Sequence, residues 1–339
     1  MLKDNRLTSL RRSLAVAAAG ALVLGTSACG GSSPSSSGPS ADKTRGAGSL
    51  VEAWPLTGLP TSGSLPSHPI VIVKIDNTAS SQPQIGLDKA DLVTEELVEG
   101  GLTRLAVFYD SQIPSEVGPV RSMRASDVGI ATPAHAVIVA SGAAPKTVRV
   151  LSAAGIKTYT EGAKGFQRST NRAAPYNLMM KLPDLVSTMK DSSVPPPYLP
   201  FGTNADFHGT RKITRIAATF SGGHTTNWQW KAGKGWLRPG SFAQPGHDFV
   251  PTNILILRVK VGNAGYVDPA GNPVPDTIFK GTGKAVLFHN GRLEQGTWNK
   301  HDLSSTLNLK AKDGSTMKVP AGKTWIELVP AKGGSVSWK

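Results

Sequence analysis

The stretch GPVRSMR places two guanidinium groups, Arg121 and Arg124, on either side of the hydroxyl of Ser122. Arginine forms paired hydrogen bonds with phosphate or carboxylate oxygens, and serine is a common cap of helices whose first N–H groups are free to bind an anion. The sequence therefore predicts a helix that opens at Ser122 and an anion-binding corner beside it. The alternative is that both arginines pair with nearby carboxylates such as Glu116 and Asp127.

A second pair of arginines lies in the stretch FQRSTNRAAPYNL, where Arg168 and Arg172 are four residues apart among Ser and Asn. Loops of this composition often carry recognition residues, although a plain exposed loop is the alternative. We expect Arg168 or Arg172 to converge with Arg104, Arg121 and Arg124 on one face of the N-terminal half.

Two consecutive glycines join the apolar run 92–98 to the run 102–109, which predicts a β-hairpin with a two-residue turn. In that register Leu97 lies opposite Arg104, and the glutamates two residues to either side of Leu97 share its sheet face. The pattern indicates an ion network on that face or a polar binding floor.

Three carboxylates would provide acid–base chemistry if the chain is an enzyme. Asp76 ends the apolar run HPIVIVKIDN, and Glu95 and Glu99 are the two glutamates placed beside Arg104 by the predicted register. With arginines stabilising phosphate charge, they would suit a hydrolase or transferase that acts on a phosphodiester or a glycan. We keep this as the alternative to a binding or assembly module, so whether the chain is an enzyme stays open.

The sequence contains none of the motifs that identify common enzyme classes. The G-x-S-x-G elbow, H-E-x-x-H, the Walker loop and a G-x-G-x-x-G after a strand are all absent. Its seven histidines are dispersed, and the pair His247 and Asp248 has no second ligand at a suitable spacing. We therefore predict no metal ion and no cofactor.

Cys29 is the only cysteine of the 339 residues, so no disulfide can form within the chain. Residues 1–28 have a basic start, an apolar stretch too short for a stable membrane span, and small residues before the cysteine, which is typical of an export signal. This arrangement resembles the bacterial lipobox, in which the thiol is acylated; an ordinary signal peptide is the alternative. We expect Cys29 to be lipidated and to anchor the chain at the extracytoplasmic face of the cell membrane.

The charge balance favours anionic partners. The chain has 37 Lys and Arg against 23 Asp and Glu, a formal net charge of +14, of which +11 remains when residues 1–28 are removed. In an exported and tethered protein this excess points to acidic headgroups, an anionic cell-wall polymer or an acidic glycan. No basic run with interleaved aromatics indicates nucleic acid. Basic residues that serve solubility alone are the alternative.

The elements that position these residues predict an α+β chain in two folded parts. Residues 29–50 are expected to form a flexible Ser/Gly/Pro tether that starts at the lipidated cysteine, and residues 192–207 are expected to form a Pro-rich linker. Residues 51–191 alternate helix and strand signals, which predicts an α/β domain with a mixed sheet and the hairpin. Residues 208–339 predict a mainly antiparallel β-rich domain.

Local signals specify several elements within these parts. We predict strands over 136–140 and 156–159 and a helix over 145–153, and Asn-Gly at 290–291 and Asp-Gly at 313–314 predict hairpins. Six of the seven tryptophans fall in the second part, where they would pack in a core or line a sugar-stacking surface.

Distinctive short motifs run from residue 54 to residue 329. They are PLTGLP (55–60), IDN (75–77), QPQIGL (82–87), the run 90–104, GPVRS (118–122), the loop 166–177, GTGKAVLFHNG with GTW (281–298) and GKTWIEL (322–328). Together they resemble the YerB-like bacterial lipoproteins, a family with a two-part domain of unknown function. The resemblance implies a lipid-anchored protein and carries over no activity. Tyr176 stands where relatives tend to have histidine, and a histidine often found near 139–144 is absent.

Overall fold

The computed structural model describes residues 52–190 and 192–339, and most of their regular structure is β-strand. The N-terminal part of the described chain contains β1 Val71–Asp76, β2 Leu92–Leu97, β3 Thr103–Tyr109, α1 Asp127–Ala131, β4 Val137–Val139, α2 Pro145–Ala153, β5 Thr158–Tyr159, β6 Phe166–Arg168, β7 Leu178–Met180 and α3 Leu182–Val186. Cys29, the predicted signal and the whole of the predicted tether lie outside the described residues.

The C-terminal part continues with strands alone, apart from a short 3-10 turn. They are β8 Phe201–Gly202, β9 Arg211–Lys212, β10 Arg215–Ser221, β11 His224–Lys231, β12 Gly235–Leu237, β13 Asn253–Val267, β14 Pro273–Ile278, β15 Gly281–His289, β16 Arg292–Lys300, β17 Asn308–Ala311, β18 Val319–Pro320, β19 Thr324–Pro330 and β20 Ser335–Trp338. Of the predicted α+β fold the coarser part is confirmed, since the described chain is mostly strand with few helices and contains a mixed sheet. In the part of the chain that the structure describes, no helix is long and apolar enough to cross a membrane.

One large sheet takes strands from both halves, in the order β17-β16-β15-β13-β19-β2-β3-β1-β4-β5. The joint between the halves is β19, which pairs in parallel with β2 on one side and with β13 on the other. Every residue of β19 is buried, as expected for a parallel strand covered on both faces. The boundaries proposed for two domains thus remain a prediction, while the two halves share one continuous sheet.

The large sheet has two covered faces with different partners. One face, here called the helix face, packs its apolar side chains, such as Ile72 and Leu257, against α1 and α2. The other, the small-sheet face, packs Val93 and Ile254 against the small sheet, β12-β11-β10-β20. Core packing is the role of four tryptophans, which are almost fully buried: Trp228, Trp236, Trp298 and Trp325.

The β2–β3 hairpin forms as predicted but in a different register. Residues 99–101 make one 3-10 turn, and the N–H of Val98 donates to Leu102 O at 2.8 Å, so the loop has three residues instead of two. Arg104 therefore pairs with Glu96 and not with Leu97. Because a shift of one residue moves a side chain to the other face, Glu95 lies on the small-sheet face, away from Arg104.

Candidate anion-binding cleft

A cleft of about 820 Å³ opens beyond the carboxyl ends of β1 and β4. These strands are parallel neighbours, and ligands of α/β sheets bind at such strand ends. Its floor holds the side chains of Arg104, Arg121 and Arg124, as the sequence led us to expect. Its sides are lined by residues 141–144, which lead into α2, and by the tip of the β13–β14 hairpin.

Arg121 is the most exposed arginine of the cleft. Its side chain is 23% exposed, against 5% for Arg104 and 10% for Arg124. Its Nε donates to Asp76 Oδ2 at 3.0 Å, and its guanidinium carbon lies 5.3 Å from the ring centre of Tyr176. Asp76 and the aromatic ring fix the guanidinium plane, and its two terminal nitrogens have no partner among the described residues.

Arg104 and Arg124 share one carboxylate, Glu99. Arg124 makes a two-point contact with Glu99 through Nε and Nη2, and Arg104 Nη2 lies 3.6 Å from the same carboxylate. Burial alone would raise the pKa of Glu99, but the charges of the two arginines outweigh burial and lower it. Burial lowers the pKa of Arg104 to about 10, which leaves it charged at neutral pH.

Formal charges in the cleft are balanced. The three arginines are accompanied by Asp76, Glu99 and Asp268 at the tip of the β13–β14 hairpin, whose carboxylate accepts from the backbone of its own turn. The cleft is thus no strongly basic patch. What distinguishes it is a set of directional donors, including the free edge of Arg121 and the buried Nε of Arg104, which has no acceptor within the described chain.

The predicted helix at Ser122 is wrong, because the backbone N–H groups on either side of Ser122 bond to β1 and to the segment after β4. The N–H of Arg121 donates to Lys74 O at 2.8 Å, and the N–H of Met123 donates to Gly142 O at 3.1 Å. The helix begins later, at Asp127, and has five residues. Ser122 still lines the cleft, where its hydroxyl lies 3.3 Å from that of Ser141.

Arg168 and Arg172 do not line the cleft, so the expected convergence reaches only the other three arginines. Arg168 is exposed and bonds to Glu161 and to Asn177 Oδ1. Arg172 donates to the carbonyl oxygens of residues 81 and 83 and so ties its loop to the turn after β1. Both arginines act on the conformation of their own loop.

Glu95 belongs to a buried network between the two sheets. Its carboxylate accepts from the hydroxyls of Thr103 and Thr226 and lies 2.9 Å from Nε2 of His224, a residue of the small sheet. Glu327 lies opposite Glu95 on β19 and accepts from Trp228 Nε1 at 2.8 Å. Sequence reasoning named Glu95 but missed its partners, and His224, Thr226 and Glu327 are more than 100 residues away in the chain.

A second buried network, missed entirely, lies under the helix face. Lys74 Nζ donates to Glu96 at 2.7 Å and to Asp127 at 2.6 Å, and all three side chains are essentially unexposed. The hydroxyl of Ser126 donates to the other oxygen of Glu96. The signal was present in the sequence, because Lys74 interrupts the otherwise apolar strand VIVKID and a buried lysine needs a carboxylate partner.

Metal ligands are not grouped in the described ranges 52–190 and 192–339, where no three His, Cys, Asp or Glu side chains come close enough to hold an ion. Glu99 and Asp76 are engaged by arginines, and Glu95 is enclosed between sheets. The arrangement of the cleft suits recognition of an oxyanion by guanidinium and hydroxyl donors.

Comparison with known proteins gives a consistent set of matches. Residues 56–195 match the model described as "Protein of unknown function (DUF3048) N-terminal domain", and residues 216–326 match that of the corresponding C-terminal domain. The chain is 26% identical over 296 residues, 81% of its length, to a Bacillus subtilis (strain 168) protein named "Putative lipoprotein YerB", of which 86% is covered. The crystal structure of YerB protein from Bacillus subtilis superposes with a TM-score of 0.69 at 25% identity, over 84% of this chain and 99% of that one.

Proposed function

This chain carries both DUF3048 domains and belongs to the YerB-like family, and on that premise we propose that it is a lipid-anchored binding module of the bacterial cell envelope. Cys29 is its anchor, which holds it at the extracytoplasmic face of the cell membrane. The arginine cleft binds an anionic group, phosphate or carboxylate, of an envelope polymer or partner.

The free edge of Arg121 carries this proposal. A guanidinium whose Nε is already bound to Asp76 retains four N–H donors on its terminal nitrogens, and its plane is fixed by Tyr176. Binding of an oxyanion at this edge costs little side-chain entropy of Arg121, because its guanidinium is already held in place. The hydroxyls of Ser122 and Ser141 provide further donors in the same cleft.

The enzymatic alternative, an envelope hydrolase or transferase, has weaker support. Asp76 and Glu99 are committed to ion pairs with arginines, and the lowered pKa of Glu99 leaves it no proton to donate at neutral pH. Glu95, the third proposed acid or base, lies on the opposite face of the sheet from the cleft. None of the three is therefore placed to transfer a proton to a ligand held by Arg121.

The test is calorimetric titration of the full-length protein, in neutral detergent, with a poly(glycerol phosphate) oligomer at two salt concentrations. We expect Arg121→Lys to weaken binding about tenfold, because lysine cannot reproduce the two-point contact. Arg292→Lys, an exposed change on β16, is the matched control and should bind as the wild type does. Equal affinities for all three proteins, or no binding at low salt, would refute the proposal.

A further inference from the structure

The small sheet leaves part of the small-sheet face of the large sheet uncovered. Beyond its edge strand β20 a groove of about 640 Å³ remains open. Its floor contains the buried apolar side chains of Ile256 and Val286, and one wall is formed by Val336 and Trp338 of β20. The ring of Trp338 also contacts Phe288 edge-on, with ring centres 6.0 Å apart, which holds its orientation. The groove therefore combines an apolar floor with an oriented aromatic wall.

A row of cationic side chains crosses this groove. Lys284 on β15 pairs with Thr297, which pairs with Lys310 on β17, and the β13 residue next to Lys284 is Arg258. At a strand spacing of about 4.8 Å, the row from Arg258 to Lys310 spans about 14 Å. Lys312 lies two residues farther along the chain from Lys310 and also lines the groove.

No carboxylate lines the groove within the described part of the chain. Arg258 is held by the carbonyl oxygens of residues 330, 331 and 334, which fix its position and leave its charge without an anionic partner. Like charges on neighbouring strands destabilise a sheet, and here no acidic side chain offsets that cost. An anionic ligand would neutralise the row.

We propose that this groove binds a linear acidic glycan. The anionic groups of such a chain match the spaced cations, and the apolar C–H face of a sugar ring buries area against the indole of Trp338. A flat bilayer does not fit a concave site, and a chain of phosphates without rings has nothing to place against the aromatic wall. No lining residue is shared with the arginine cleft, so the groove is a separate site.

The experiment measures binding of hexagalacturonate to the full-length protein in neutral detergent, with neutral maltohexaose, inorganic polyphosphate and lysophosphatidylglycerol micelles as comparison probes. We expect the double variant Lys284→Gln/Lys310→Gln to raise the Kd for hexagalacturonate at least tenfold and Trp338→Leu to raise it severalfold. The matched control is Lys231→Gln/Lys234→Gln, which removes two exposed charges elsewhere and should change the Kd less than twofold. Maltohexaose should not bind, and circular dichroism reports whether each variant is folded.

Arg121→Lys separates the two proposals, since the loss of hexagalacturonate binding in the groove variant should be the same with and without Arg121→Lys, whether or not the arginine cleft binds an anion. If the groove variant and the control lose the same affinity for hexagalacturonate, binding depends only on net charge and the groove is not a specific site. If polyphosphate binds with the same Kd as hexagalacturonate and Trp338→Leu does not change that Kd, the glycan proposal is wrong. If only the micelles bind, and the groove variant abolishes their binding, the groove is a site for lipid headgroups.

Discussion

Two glutamates that pair across neighbouring strands have pKa values shifted in opposite directions. Glu95 is fully buried, and burial would raise its pKa, but His224 and the hydroxyl donors around it lower the pKa below the usual value. For Glu327, burial and the charge of Glu95 raise the pKa well above the usual value, and Trp228 is its one donor in the described chain. The fold therefore favours the protonated form of Glu327 beside the ionised form of Glu95.

Glu327→Gln should change how stability depends on pH. The pKa of Glu327 is raised in the folded protein, so the stabilisation linked to its proton is complete below the unfolded value, near 4.5, and is lost as pH rises toward the folded value. The wild type should lose about 1.4 kcal/mol per pH unit relative to Glu327→Gln over that range. Urea unfolding at pH 5, 6.5 and 8 measures the unfolding free energy of both proteins. The same pH dependence for the wild type and Glu327→Gln would contradict the raised pKa of Glu327.

At the scale of elements, the choice of residue in a turn is most restricted where another part of the chain packs against the turn. The β15–β16 hairpin turns through Asn290 and Gly291, both at positive φ, 46° and 67°. This is the two-residue turn that Asn-Gly favours. A Cβ on Gly291 would lie 2.6 Å from Trp230 Cδ1, so the glycine also makes room for the small sheet.

Gly291→Ala should cost about 2–3 kcal/mol of unfolding free energy, because positive φ and the clash with Trp230 act together. Gly314→Ala is the control: this glycine has φ +87° but no atom within 4 Å of an added Cβ. We expect the control to lose about 1 kcal/mol from backbone strain alone. Denaturant midpoints of the two variants compare these costs, and equal losses would show that the contact with Trp230 is unimportant.

At the scale of the whole molecule, β19 makes the two halves interdependent. It comes from the end of the chain but lies between β13 and β2, and its residues contribute to the cores on both sheet faces. Without β19, β2 would present an unpaired edge of buried apolar strand, which is an aggregation hazard.

The described chain should therefore unfold in one cooperative transition. Circular dichroism and tryptophan fluorescence in urea are expected to give the same midpoint. Residues 52–190 and 208–339, expressed separately, should show no cooperative unfolding. The first piece has β2 without β19, and the second has β19 without β2. Two resolved transitions of the intact protein, or a cooperative transition of either piece alone, would contradict this expectation.

The sequence by itself determined the features that depend on neighbouring residues. The helix at 145–153 begins at a proline that is favoured at a first helical position, and the Asn-Gly hairpin follows from the φ preferences of its two residues. The burial of most tryptophans follows from their large apolar area. Such preferences act over a few residues, and local sequence is enough to specify them.

Tertiary structure alone decided which side chains meet. One extra residue in the turn after β2 moved Glu95 to the other sheet face, and backbone hydrogen bonds to β1 and to the segment after β4 kept Ser122 out of a helix. The cation row exists only because β13, β15, β16 and β17 lie side by side in that order, with Arg258 and Lys310 more than 50 residues apart in the chain. Register and strand order are set by contacts between distant segments, whose free energy no local pattern in the sequence contains.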